Sequence, residues 1–142
     1  MDHTRMNPEE LVTEAEAAYQ TQDADRIMDL FHPEVVVYWD GKKLWETFEA
    51  VRDNHAEAIA DLPEFEIQKS LRAASGDTIT VEWTDAWVDA DGTHGEGFGA
   101  EFWTMAGDQL REWHVYYETY DREEMTGQRD EDYLTIHPMA ER

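Results

Sequence analysis

An aspartate stands in this chain where an apolar side chain belongs. From Ile79 to Val88 the residues Ile79, Val81, Trp83 and Trp87 fall on alternate positions, and Asp85 shares their phase. Side chains of one phase point to one face of a strand, so the pattern sets a carboxylate on a core face. Such a group must find a partner, open onto a water-filled cavity, or keep its proton. Lining an apolar pocket between Trp83 and Trp87, Asp85 would have its pKa raised toward the range in which one carboxyl both takes and gives a proton. The structural alternative is that Lys69, Arg111 or His55 pairs with it and fixes the sheet.

Other residues could join that chemistry. His55 lies on the apolar stripe of a predicted helix, as a general base, as a partner orienting Asp85, or as hydrogen-bonded packing. Arg111 alternates in phase with Trp113 and could hold an anionic ligand group, neutralise Asp85, or pair with one of the many carboxylates. Trp39, Trp83, Trp87, Trp103 and Trp113 offer flat walls for a ring-shaped apolar ligand, Trp39 and Trp83 first among them, with core filling accounting for the rest. Glu101 and Tyr117 could add a second carboxyl and a hydroxyl. His94-Gly95-Glu96 lacks the second histidine that a metal site would need. Gly95, Gly97 and Gly99 lie in a predicted strand with no helix after them, so they form no dinucleotide fingerprint and are expected to bend or bulge the sheet. No metal or cofactor is expected.

The elements that must position these residues are legible. Asn7 caps a first helix with Pro8 at its start, Glu9 and Glu10 in its first turn, and Leu11, Ala15, Ala18 and Tyr19 as its stripe. Asp23 caps a second, carrying Ile27, Leu30 and Phe31 and ended by His32-Pro33. A strand from Val35 to Trp39 turns at Asp40-Gly41. A third helix is predicted from about Leu44 to Asp61, with Trp45, Phe48, Val51 or Arg52, His55, Ile59 and then Leu62 along one side. After Pro63 the period changes to two. A strand through Phe65, Ile67 and Leu71, the Asp85 strand, a strand from about His94 to Met105 and one from Gln109 to Tyr120 are joined by short turns, which makes an antiparallel meander. The fold class is therefore α+β, three N-terminal helices on one face of a curved antiparallel sheet. Both faces of the last strand carry aromatics, so the outer face is expected to meet a second copy of the chain.

Composition bounds the rest. The 142 residues read as a single domain, with a core at about 8–121 and a polar tail at 122–142. There is no cysteine, so no thiolate nucleophile or disulfide is available. The 34 acidic residues outnumber the 11 basic ones and give a net charge of -23, which repels nucleic acid and anionic membranes. The carboxylates are spread along the chain and resemble the solvated acidic shell of proteins from salt-accumulating organisms. The first residues lack a signal-peptide pattern and no apolar run is long enough to span a membrane, so a cytoplasmic protein is expected.

The order helix, helix, strand, helix, four-stranded meander resembles the cone-shaped fold of the nuclear transport factor 2-like (NTF2-like) superfamily, and especially its SnoaL-like branch. The local carriers are Asp25-Arg26-Ile27-Met28-Asp29-Leu30-Phe31-His32-Pro33-Glu34-Val35, Glu49-Ala50-Val51, and Ala100-Glu101-Phe102-Trp103 through Arg111-Glu112-Trp113-His114-Val115-Tyr116-Tyr117. The resemblance implies a deep, mostly apolar pocket between sheet and helices, commonly in a homodimer packed through the outer sheet face. It spans several activities, among them isomerases, polyketide cyclases and epoxide hydrolases, and also non-catalytic binding modules. Epoxide hydrolases of this fold use an Arg-x-Asp pair and a second Asp; here those positions hold Trp83-Thr84-Asp85 and Val115. Ketosteroid isomerases use a Tyr and two Asp, where this chain has Ala15, Trp39 next to Asp40, and Ala100. SnoaL-type cyclases rely on an acid/base Asp in an otherwise apolar pocket, a looser requirement that Asp85 could meet. The expectation is a pocket for a small, mostly apolar molecule, with turnover through Asp85 and binding without turnover both open.

Overall fold

A computed structural model of the chain describes residues 6–121. The tail expected at 122–142 lies outside the described residues. Helix α1 (Pro8–Gln20) opens with a reciprocal cap. The Asn7 side chain accepts from the Glu10 amide at 2.9 Å, and the Glu10 carboxylate accepts from the Asn7 amide at 3.0 Å, which satisfies two donors that have no partner inside the helix. Helix α2 (Ala24–Met28), capped by Asp23, is shorter than its apolar spacing predicts. Leu30 and Phe31 leave it because the last strand captures them: the Leu110 amide donates to the Leu30 carbonyl at 2.8 Å, and Phe31 begins β1 (Phe31–Trp39). Long-range pairing outweighs local propensity here.

Asp40 and Gly41 have φ of 51° and 86°, as a two-residue hairpin turn requires. The chain therefore folds back as β2 (Lys42–Trp45) against β1 instead of entering a helix at Leu44. Helix α3 (Phe48–His55) starts later, where Thr47 accepts from the Ala50 amide at 3.1 Å. It passes into one π-helical turn, Ala56–Ala60, in place of the continuous helix expected to Asp61. Gln22 holds that wide turn from α1's end, donating to the carbonyls of Ile59 at 3.0 Å and Leu62 at 2.8 Å.

The meander consists of β3 (Glu64–Ser75), β4 (Thr78–Val88), β5 (His94–Ala106) and β6 (Gln109–Asp121). The curved sheet has the order β2-β1-β6-β5-β4-β3. Its pairings are antiparallel except that β1 runs parallel to β6, which corrects the fully antiparallel sheet expected from the sequence. A parallel pair needs a long crossover, and here α3 and the whole meander supply it. The free edge of β3 is closed by α1 side chains. Gln20 donates to the Phe65 carbonyl at 2.7 Å and accepts from the Ile67 amide at 3.0 Å, and Glu16 accepts from the Lys69 amide at 2.8 Å. These bonds stand in for a neighbouring strand and blunt an edge that would otherwise pair with another chain.

Between helices and sheet lies one apolar core. Ile27, Phe31, Val35, Val37, Val51, Ile79, Val81, Trp103 and Val115 are almost completely buried in it.

Candidate functional site

Four rows of inward-facing residues cross the concave side of the sheet. Lys69, Trp83, Gly99 and Tyr117 form one; Ile67, Asp85, Gly97 and Thr119 the next; Phe65, Trp87 and Gly95 the one beyond; Val81, Glu101 and Val115 lie on the other side of the first. The three glycines are consecutive inward positions of β5, and register is continuous through them, so they do not make the bulge expected as one alternative from sequence. They form a floor instead. A Cβ on Gly95 would meet the Trp87 ring at 2.3 Å, one on Gly97 the Asp85 Oδ1 at 2.5 Å, and one on Gly99 first the Tyr116 carbonyl oxygen at 2.3 Å and then the Trp83 ring at 3.0 Å. Side chains of β4 occupy the space that side chains on β5 would otherwise fill.

Above this floor is a cavity of about 450 Å³. Trp83, Asp85 and Trp87 come from β4, Phe65 from β3, Tyr117 and Thr119 from β6. The β1–β2 hairpin adds Trp39, Leu44 and Trp45, and the wall opposite is Asn54, Ala58, Ile59 and Leu62, from the end of α3 to just past the π-turn. Trp39 stands at 76° to Trp45 and 67° to Tyr117, with ring centroids 5.6 and 4.9 Å away, so the hairpin end of the cavity is an aromatic corner.

Asp85 is part of that wall, and its Oδ1 is buried without a hydrogen-bond partner. Burial pushes its pKa up from 3.8 to about 6; the neighbouring Lys69 opposes the rise and Glu101 adds to it. None of the three partners considered for it from sequence is bonded to it. Lys69 Nζ lies 3.2 and 3.1 Å from the two oxygens of Glu101, and both side chains are buried. Glu101 also accepts from Trp103 Nε1 at 2.8 Å, and Lys69 sits 4.8 Å from the Tyr19 ring centre and 5.9 Å from that of Trp83. The pair is thus closed on itself and on aromatic faces.

His55 is placed in the core, not on the cavity wall. Its Nδ1 lies 2.9 Å from the Val51 carbonyl, an acceptor only, so that nitrogen carries the proton and Nε2 accepts from the Tyr19 hydroxyl at 2.7 Å. Burial pushes its pKa down to about 4, with Lys69 adding to the fall and the Val51 bond opposing it. Burial likewise raises that of Tyr19 well above its usual value, helped by Glu101. The ring stacks on Trp113 at 5.6 Å and 11°. A neutral imidazole with both nitrogens engaged is packing, not a base directed at Asp85.

Of the other residues singled out from sequence, Trp39, Trp83, Trp87 and Tyr117 line the cavity. Trp103 and Trp113 are core residues away from it. Arg111 is exposed and pairs with Glu34 at 3.2 Å. The register slips between Thr104 and Met105, which face Glu112 and Leu110, so Arg111 is the extra residue of a bulge and does not share the inward face of Trp113. Sequence reasoning passed over Asn54 and Thr119. Thr119 had a signal, being two residues beyond Tyr117; Asn54 had none, being a polar residue off the apolar stripe of α3.

A second depression, of about 540 Å³, lies at the other end between α1, α2 and the β5–β6 turn; its Arg26 is already paired with Glu14. Among the described residues no group of three or more His, Asp or Glu is placed to hold a metal ion, and no helix is long and apolar enough to cross a membrane.

Solved structures with the same architecture are numerous. An epoxide hydrolase/cyclase-like enzyme, SalBIII, from pyran ring formation in polyether salinomycin, superposes with a TM-score of 0.68 at 19% identity over 78% of this chain and 90% of its own. TerC co-crystallised with polyporic acid gives 0.64 at 16% over 78% and 91%, and a computationally designed 17-OHP binder 0.67 at 16% over 81% and 98%. At these identities the likeness shows the NTF2-like fold alone. No curated protein matches the chain in sequence. The SnoaL-like domain family model matches residues 12–113, most of the helices and the sheet that hold the cavity, and the chain belongs to that family.

Proposed function

We propose that the protein binds a small, largely apolar molecule in the cavity above the glycine floor and transfers a proton on it through Asp85, without a cofactor. The observation that carries this reading is the wall itself. Asp85 is the one carboxyl lining that cavity among the described residues, its Oδ1 is unpartnered, and burial moves its titration to about 6. A carboxyl poised there can act as base and acid in turn, which is what an isomerisation, a cyclisation or a water-assisted ring opening asks of one group. The aromatic and aliphatic walls favour a ring-shaped ligand.

One observation favours binding without turnover. His55 is tied to Tyr19, and Lys69 is closed on Glu101, so neither is free to serve as a second proton-transfer group. Proton exchange separates the readings. Cavity-sized cyclic ketones incubated with the protein in D2O should gain deuterium beside the carbonyl, followed by NMR, and Asp85→Asn should lose that exchange while its near-ultraviolet circular dichroism is unchanged. Binding with no exchange, or undiminished exchange in the variant, would sink the catalytic reading.

The same proposal extends to assembly and setting. On the outer sheet face Phe98, Phe102 and Tyr116 are 40%, 41% and 43% exposed, and a second copy covering them through that face makes the working unit a homodimer. The acidic shell fits a salt-rich cytoplasm.

A further inference from the structure

An ionised carboxylate in an apolar wall needs a positive partner, and among the described residues none is hydrogen-bonded to Asp85 Oδ1. Lys69, across the sheet from Trp83, gives both its short contacts to Glu101. Arg111 is outside with Glu34, Arg52 with Asp25, Arg72 with Glu82, and His55 is held neutral between Tyr19 and Val51. The groups that face Asp85 from the packed elements are otherwise acidic or neutral. Glu101 comes from β5, Glu16 from α1 and Tyr117 from β6, while Glu66 and Glu96, paired with Ala86, lie on the opposite face of the sheet. Near neutral pH, above the titration at about 6, the wall therefore presents a negative charge without its counterpart.

The surroundings of that charge have a second property. Trp83 and Trp87 flank Asp85 on its own strand, and Trp39 and Trp45 make the perpendicular corner at the hairpin end. Indole faces attract cations more strongly than other aromatic faces do, and several around one carboxylate form the arrangement that recognises an alkylated ammonium.

We propose that the ligand of this cavity presents a cationic nitrogen, an organic ammonium, to Asp85, with Trp39, Trp45, Trp83 and Trp87 supplying the ring faces around it. This rests on the reading of the cavity as the ligand site and names the polar group that ligand carries. A cation held there keeps Asp85 ionised, which narrows its part in any turnover to that of a base.

The test uses phenyltrimethylammonium and its uncharged carbon isostere, tert-butylbenzene, with the full chain in about 1 M KCl, where attraction to the acidic surface is screened. Tryptophan fluorescence reports binding. The ammonium should bind at least about tenfold more tightly than the isostere, and that preference should shrink as pH falls through about 6. Asp85→Asn should cut the preference at least severalfold, leaving only what the indole faces supply, with an unchanged near-ultraviolet circular dichroism showing that the variant is folded. Equal or better binding of the isostere, or a preference undiminished in Asp85→Asn, overturns the ammonium inference and leaves the cavity reading standing. If neither probe binds, the cavity reading fails and this inference with it.

Discussion

At Asp85 and His55 burial acts on two groups with opposite sign. Asp85 titrates at about 6 in the folded chain against an ordinary 3.8, so its contribution to stability is full below about pH 4 and is lost as pH rises through 6. His55 titrates at about 4 against 6.5, so its contribution is full above about pH 6.5 and is lost as pH falls toward 4. The windows overlap and the slopes oppose. Replacing Asp85 by Asn removes one slope and leaves the other. The melting temperature of Asp85→Asn relative to the parent should therefore climb between pH 4 and pH 7 by on the order of 3–6 °C, corresponding to about 1–2 kcal/mol once the partial exposure of Asp85 is allowed for. Parallel melting curves across that range would show that the carboxyl carries no burial cost. The Lys69–Glu101 pair stands in contrast, since removing either partner leaves the other charge buried and costs about 3–5 kcal/mol.

Among the elements, β5 decides the shape of the site. Its glycines looked in the sequence like a bend, because glycine in a strand so often marks one. Their actual role depends on β4, whose Trp83, Asp85 and Trp87 lie over them, and that pairing register is a property of the folded sheet. The two deeper positions should respond differently to a methyl group. Gly95→Ala drives a Cβ into the rigid Trp87 ring and should cost about 1–3 kcal/mol in urea unfolding. Gly97→Ala meets the tip of Asp85, which can swing away, so it should cost less stability but weaken ligand binding. Equal stability losses at the two positions would contradict the floor. The third helix teaches the same lesson from the other side. Leu44 and Trp45 fit its apolar spacing, yet the left-handed turn at Asp40-Gly41 sends them into a strand, and both end as cavity wall.

Over the whole molecule, charge and the outer face act together. A net charge of -23 opposes both compaction and association until salt screens it. Melting temperature should rise from dilute buffer to molar KCl, and light scattering in molar KCl should give the mass of a dimer. A flat melting profile would remove the salt-adapted reading, and a monomer at high salt the homodimer.

Sequence by itself determined what depends on neighbours along the chain. The Asn7 cap, the change from period four to period two after Pro63, and the phase of Asp85 with Trp83 and Trp87 are local patterns, and local sterics and hydrogen bonding suffice to read them. Tertiary structure decided whatever depends on which strand lies beside which. It closed Lys69 on Glu101, tied His55 to Tyr19, turned Arg111 outward at a bulge, and set Asn54 of α3 on the cavity wall. A buried charge takes whichever partner the packing sets within reach, and separation along the chain does not measure that distance.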